Sequence, residues 1–286
     1  MYKYGVHAYL WSAELDRDIP WIAHKAKEFG FDALELPLNV IDRIDVKLTR
    51  QALEDESLQC TCVGGIDPDA DLISDSPKER QAGLDHLKRC IDVCVGVGSQ
   101  RFGGVIYSAW GRIVGRPRTP EEWERSVTGL RQAAEYARVA GVKLGLEPVN
   151  RFESYFLNTT EDGLRLLEDI GLDNVDLNLD TFHMNVEERD FYGAIKAAGC
   201  RLGHLHTNEN DRGTPGKGHV DWVGVFRALQ EIGYQGHLVI ESFVPGIGGI
   251  AEQCAIWRQL APDGDYLARE GLRFLKETEA RVAAGG

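Results

Sequence analysis

Eight short runs rich in apolar or β-branched residues alternate with amphipathic stretches, and this alternation constrains the fold more than any other feature. The runs are Tyr4–Trp11, Asp32–Leu38, Gln59–Gly65, Arg101–Ile106, Lys143–Val149, Val175–Thr181, Arg201–Thr207 and His237–Phe243. Stretches with helical spacing cover Ile19–Phe29, Val46–Glu56, Pro77–Val97, Pro120–Ala140, Thr160–Ile170, Asp190–Ala198 and Trp222–Ile232, with a last one over Gly264–Val282. Strand runs alternating with helical runs predict parallel βαβ units. Ser76-Pro77 and Thr119-Pro120 read as an N-cap followed by the first helical residue. Gly30, Gly141, Gly171, Gly199 and Gly233 stand just past helical stretches, where a left-handed terminating residue belongs. Eight such units in series predict an α/β chain forming one (β/α)8 TIM barrel over residues 1–286. An open doubly wound sheet is the alternative. It lacks its fingerprint, because no G-x-G-x-x-G follows a strand and opens a helix.

The formal net charge is −13, which disfavours nucleic acid and anionic membrane partners, since both need basic footprints. No run of 18 apolar residues suggests a membrane span. The chain enters a strand-like run almost at once, so no signal peptide is expected. Six cysteines in 286 residues are too sparse for a disulfide scaffold. Cys60 and Cys62 resemble half a zinc motif without a second half, and Cys90 and Cys94 have the spacing of a packed helix face. A reduced, cytoplasmic protein is the expectation. In the long connection Tyr107–Thr119, Arg112, Arg116 and Arg118 could meet a phosphate, a neighbouring subunit or only solvent.

The polar residues that close four of the runs carry the chemistry. Strand five ends in Glu147, strand six in Asp180, strand seven in His206 and strand eight in Glu241, each next to an apolar neighbour. If those neighbours face the helices, the four polar side chains face the barrel axis at its C-terminal mouth. A lone carboxylate such as Glu147 in "GLEPVN" would be costly to bury there. Three carboxylates converging on one mouth repel one another, and a divalent cation removes that repulsion. Two Glu, one Asp and one His suit one ion per subunit, Mn2+ or Co2+ foremost, with Mg2+ possible and Zn2+ less specifically matched. Glu153, His183 and Arg212 lie in the loops after these strands and could meet a polyhydroxylated ligand. Trp11 and Trp110, near the ends of strands one and four, could form an apolar wall. The loop Pro245-Gly246-Ile247-Gly248-Gly249 after strand eight occupies the place where some barrels hold phosphate.

The segments "EPVNRFE", "LDTFHMNVEE", "HTNENDRGTPGKG" and "IESF", and the start "YGVHAYLWSAE", resemble the ketose 3-epimerases of D-tagatose, D-psicose (D-allulose) and L-ribulose. The resemblance spans essentially the whole chain. It implies Glu147, Asp180, His206 and Glu241 as metal ligands, with Glu147 and Glu241 also the acid/base pair. It places Glu153, His183 and Arg212 on the substrate hydroxyls and carbonyl. Cys62 and Trp110 match positions that line the pocket in some members. The chain departs from several members at His7 and Leu15, where those carry aromatics that close off the far end of the sugar. A free ketose as substrate and a homodimer or homotetramer are implied as well.

Inverting C3 of a ketose requires taking the proton beside the C2 carbonyl from one face and returning it to the other. Two carboxylates on opposite sides, Glu147 and Glu241, could do this. A bound cation would act as Lewis acid, and donors such as His183 and Arg212 would stabilise the enediolate. An aldose–ketose or hydroxypyruvate-type isomerase on the same barrel is the alternative, with a dehydratase a related variant. An abasic-DNA endonuclease is disfavoured by the net charge and by only eight histidines. A non-catalytic sugar binder would not need converging acids.

Overall fold

A computed structural model describes residues 1–247 and 254–285. The strands are β1 (Lys3–His7), β2 (Ala33–Pro37), β3 (Gln59–Ile66), β4 (Arg101–Ala109), β5 (Lys143–Leu146), β6 (Val175–Asp180), β7 (Leu202–His206) and β8 (His237–Ile240). All pairs are parallel, and β8 closes onto β1 through Lys3↔His237 to Val6↔Ile240. The result is the (β/α)8 barrel that the alternation predicts.

The helices are α1 (Leu15–Glu28), α2 (Val46–Asp55), α3 (Pro77–Val97), α4 (Pro120–Val139), α5 (Thr160–Ile170), α6 (Thr181–Glu187), α7 (Phe191–Ala198), α8 (Trp222–Glu231) and, after the undescribed segment, α9 (Gly264–Ala283). All but α1 begin at a residue whose side chain accepts from a free backbone N–H. Thr119 caps α4 in a reciprocal box with Glu122, and Ser76 caps α3. In α5 the buried face is Gly163, Leu166, Leu167 and Ile170, an i, i+3, i+4, i+7 stripe against the barrel. No described helix is long and apolar enough to cross a membrane.

Three sequence expectations need correction. Helix α1 starts four residues before Ile19 and carries Pro20 inside it. Asp16 and Asp18 in its first turn suit the helix dipole. Arg112, Arg116 and Arg118 are not free, because each is paired within the chain. Arg112 bonds the buried Asp71, Arg116 bonds Glu122 at 2.8 and 2.9 Å, and Arg118 bonds Asp162 at 2.7 and 3.0 Å. They fasten the β4–α4 connection to the shell of helices. Trp11 forms no wall at the mouth: its ring stacks on Phe29 and its indole N–H donates to Asp265 of α9 at 2.9 Å.

The barrel interior is unusually polar, and small residues make room for it. Gly5, Gly145 and Gly203 point inward, where a Cβ would strike Val239, Arg101 or Asp176. The space holds a two-pronged pair between Arg101 and Asp176, at 2.7 and 2.5 Å, near the N-terminal end. The β6–β7 ladder shifts register there: Leu177 faces Leu202 but Asn178 faces His204. The extra residue is Gly203. In a bulge two successive residues sit opposite one, so from this point His204 and His206 join Asn178 and Asp180 on the inner face. Without the shift, both histidines would point at the helices.

Candidate active site and metal centre

At the C-terminal mouth, Glu147, Asp180, His206 and Glu241 each offer a donor atom within 4.8 Å of the other three. Each is positioned differently. Asp180 ends β6 and caps α6, its Oδ1 accepting from the Phe182 N–H at 2.8 Å and the Asn208 amide at 2.9 Å. Glu147 follows β5 by one residue, its N–H donating to Gly104 O at 3.1 Å. Glu241 follows β8 by one residue, and its N–H donates to the Asn208 side-chain oxygen at 2.8 Å. One buried amide thus ties two of the acids together. His206 Nδ1 lies 3.1 Å from Glu147 Oε1 and 3.2 Å from Glu241 Oε2.

Arg212 enters from the loop after β7 with φ 65°, a left-handed conformation that costs an arginine about 1–3 kcal/mol. The strain delivers its guanidinium between Asp180 Oδ2 at 2.9 Å and Glu241 Oε2 at 2.8 Å, over the Phe182 ring. His183 Nδ1 accepts from the Asn150 backbone N–H at 3.2 Å, and its Nε2 lies 3.1 Å from Arg212. Glu153 accepts from the Asn150 amide at 2.8 Å and from the Trp110 indole at 3.0 Å. These side chains surround a cavity of about 680 Å³, completed by His7, Tyr9 and Phe243.

Burial drives the protonation of these groups apart. It pushes the Glu147 carboxyl up, with Glu241 and Asp180 adding to the rise and His206 opposing it. Burial also acts on Glu241, but His206 and Arg212 outweigh it and hold that carboxyl below the ordinary carboxylate range. Burial lowers His183 to about 3, so its ring is neutral at physiological pH. The donor set, two Glu, one Asp and one His converging in a buried cluster, fits a divalent cation.

The family profile described as Xylose isomerase-like TIM barrel matches residues 23–278. An L-ribulose 3-epimerase of Methylomonas sp. (strain DH-1) is 35% identical over 284 residues, covering 96% of this chain and 97% of the relative. A D-psicose 3-epimerase of Ruminiclostridium cellulolyticum is 34% identical over 273 residues, covering 92% and 91%. The solved D-allulose 3-epimerase from Methylomonas sp. in complex with D-allulose superposes with a TM-score of 0.93 at 34% identity, over 97% of each chain. The chain belongs to the ketose 3-epimerase family.

Of the positions that sequence reasoning assigned to this epimerase site, the structure brings nine together. Glu147, Asp180, His206 and Glu241 cluster, and His7, Trp110, Glu153, His183 and Arg212 line the same cavity with two of them. Cys62 does not line it. Residues alternate along β3, and Thr61 is the inward one, bonding Glu35 at 2.9 Å. Cys62 is buried in the apolar core on the other face, in register with Leu36. Leu15 is buried in α1, outside the residues that line the cavity. Of the glycine-rich loop after β8, Gly248 and Gly249 lie outside the described residues.

Several site residues escaped the sequence reading. Asn208 links Asp180 to Glu241, Asn150 orients His183 and Glu153, and Tyr9 and Phe243 flank His7. The largest omission is Glu35, 1% exposed, which lies between His204 and His206. Its signal was available: "LELP" on β2 places a carboxylate between apolar neighbours as "GLEP" does for Glu147.

Proposed function

We propose that this epimerase inverts C3 of a free ketose, with Glu147 and Glu241 exchanging the C3 proton from opposite sides. It is an isomerase of carbohydrates. The relatives named for L-ribulose, D-psicose and D-allulose epimerisation point to a pentulose or hexulose as the substrate. The observation that carries the reading is the four-donor cluster at the base of a cavity whose other polar walls suit hydroxyl groups.

Glu147, Asp180, His206 and Glu241 would hold one divalent ion, Mn2+ or Co2+ foremost. When bound, that ion supplies Lewis-acid stabilisation of the charge that builds on the carbonyl oxygen. The remaining chemistry belongs to the protein. One carboxylate removes the C3 proton, and the other, protonated, returns a proton to the opposite face; the two exchange roles with direction. Arg212 and neutral His183 donate toward oxygens that gain charge, with preorganised dipoles in a site shielded from water. Glu153, fixed by Trp110 and Asn150, accepts from a substrate hydroxyl. His7, backed by Tyr9 and Phe243, closes the opposite wall, so it bears on which ketose is preferred. The aldose–ketose isomerase alternative needs only one base on a single face.

Turnover in deuterated water separates the two. Label at C3 is expected, and label at C1 would favour the isomerase. Glu147→Gln is expected to fold and bind substrate but to lose turnover by several orders of magnitude. Substantial retained epimerisation would refute the two-base scheme. A homodimer or homotetramer is part of the same proposal: Phe152 and Trp257, each 75% exposed, flank the outer mouth. Sedimentation that finds only monomer at micromolar concentration would remove this part.

A further inference from the structure

Glu35 lies on β2, across the barrel from the acids at the mouth, and no step above uses it. It is buried, as are its neighbours. Its Oε1 is 3.0 Å from His206 Nε2, its Oε2 is 2.9 Å from His204 Nε2, and the Thr61 hydroxyl donates to Oε2 at 2.9 Å. The two imidazoles meet edge to face, 5.1 Å between centroids. Neither imidazole contact is an aligned hydrogen bond: Glu35 Oε1 and both Nε2 atoms are buried without one. A carboxylate this deep costs several kcal/mol unless its charge is met, and a leucine would fill the same space without that cost.

The other side of the His206 ring explains its presence. Nδ1 is the nitrogen that faces Glu147 and Glu241, so Nδ1 must give its lone pair to any cation held there. A neutral imidazole that binds a cation through Nδ1 keeps its proton on Nε2. That proton faces Glu35. We propose that Glu35 is a positioning residue: it accepts a hydrogen bond from the His206 Nε2–H, favours the tautomer that leaves Nδ1 free, and holds the ring toward the mouth. Thr61 holds the carboxylate in turn.

This inference rests on the metal reading above, and the test separates the two. Mn2+ binding to chelator-stripped protein is followed by the electron paramagnetic resonance of free Mn2+. The parent is expected to bind one ion per chain. Glu35→Leu is expected to keep the fold by circular dichroism and to bind Mn2+ about 10–100-fold more weakly, the range for loss of a residue behind a metal-binding histidine. Glu35→Gln keeps an oxygen acceptor and is expected to show a smaller but measurable loss. Nitrogen-15-edited proton spectra of the Mg2+-loaded protein are expected to show the His206 Nε2 proton far downfield in the parent, as for an imidazole bonded to a carboxylate, and moved upfield in the variants, furthest in Glu35→Leu. A merely structural role for Glu35 would not move that signature.

A parent that binds no Mn2+ overturns the metal reading and this inference together. A parent that binds one ion, with Glu35→Leu or Glu35→Gln matching its affinity, overturns the inference alone. So does a parent that binds two ions and loses one on substitution, because Glu35 would then be a ligand. If Glu35→Leu does not fold, Glu35→Gln decides by the same affinity and spectral criteria.

Discussion

Adding a divalent cation should raise the melting temperature of this protein, because the acids at the mouth repel one another without it. Glu147, Asp180 and Glu241 present donor atoms within 4.8 Å of one another. At an effective dielectric constant of about 20, two unit charges at about that separation repel by roughly 3.5 kcal/mol. Arg212 and His206 offset part of this, yet His206 cannot be charged and bind a cation through Nδ1 at once. An ion present at about 100 times its dissociation constant stabilises by about 2.7 kcal/mol. For chains of this general size each kcal/mol moves the midpoint by about 2–4 °C, so a rise of about 5–11 °C is expected. The assay is calorimetry or intrinsic fluorescence of chelator-stripped protein titrated with Mn2+, Co2+ or Mg2+. Asp180→Asn removes one charge and one ligand, and its ion-dependent rise should nearly vanish. The reasoning is wrong if stripped protein melts at the same temperature at all concentrations of all three ions. It is equally wrong if Asp180→Asn responds as the parent does.

Two further outcomes concern the scaffold. Asp176→Ala strands Arg101 inside the barrel and should cost about 3–5 kcal/mol in urea unfolding, whereas apolar replacement of both partners should recover much of that; equal losses in the single and double variants would contradict it. The Arg116 guanidinium, assisted by the Thr119 N–H and the Tyr155 hydroxyl, holds the Glu122 carboxyl down to about 2. A carboxylate with a depressed folded-state pKa stabilises above its unfolded pKa, and that contribution is lost as pH falls toward the folded value. Glu122→Gln should therefore be less stable than the parent at neutral pH. The gap should close between about pH 4.5 and 2, and a gap that stays constant over that window would rule out the linkage.

The architecture was legible because its signals are local. Strands such as β6 alternate at period two, every helix but α1 carries its own side-chain cap, and neither signal needs knowledge of distant residues. The same alternation put Asp180, His206 and the residues just past β5 and β8 on the axis side, which is why the four-donor cluster could be read from the chain. It would have exposed Glu35 too, had "LELP" been read with the rule applied to "GLEP". Alternation also shows why Cys62 was misplaced: Thr61 holds the inner face, and the matched motif says nothing of parity. The short helix α6 was missed because its seven residues are too few for periodicity, although Asp180 caps it.

What local pattern could not supply is partnership between residues far apart in sequence. Arg112, Arg116 and Arg118 looked free because Asp71 and Asp162 are distant along the chain and Glu122 belongs to the next helix. Trp11 looked like a pocket wall until α9 brought Asp265 beside it. Position 203 at the bulge must be glycine because the Arg101–Asp176 pair fills the place of a side chain. The sequence alone determined the order of elements, their inward faces and the chemical types available at the mouth. The tertiary structure decided which of those groups meet, because closure of β8 on β1 and the one-residue shift between β6 and β7 set distances across the barrel that no run of neighbouring residues encodes.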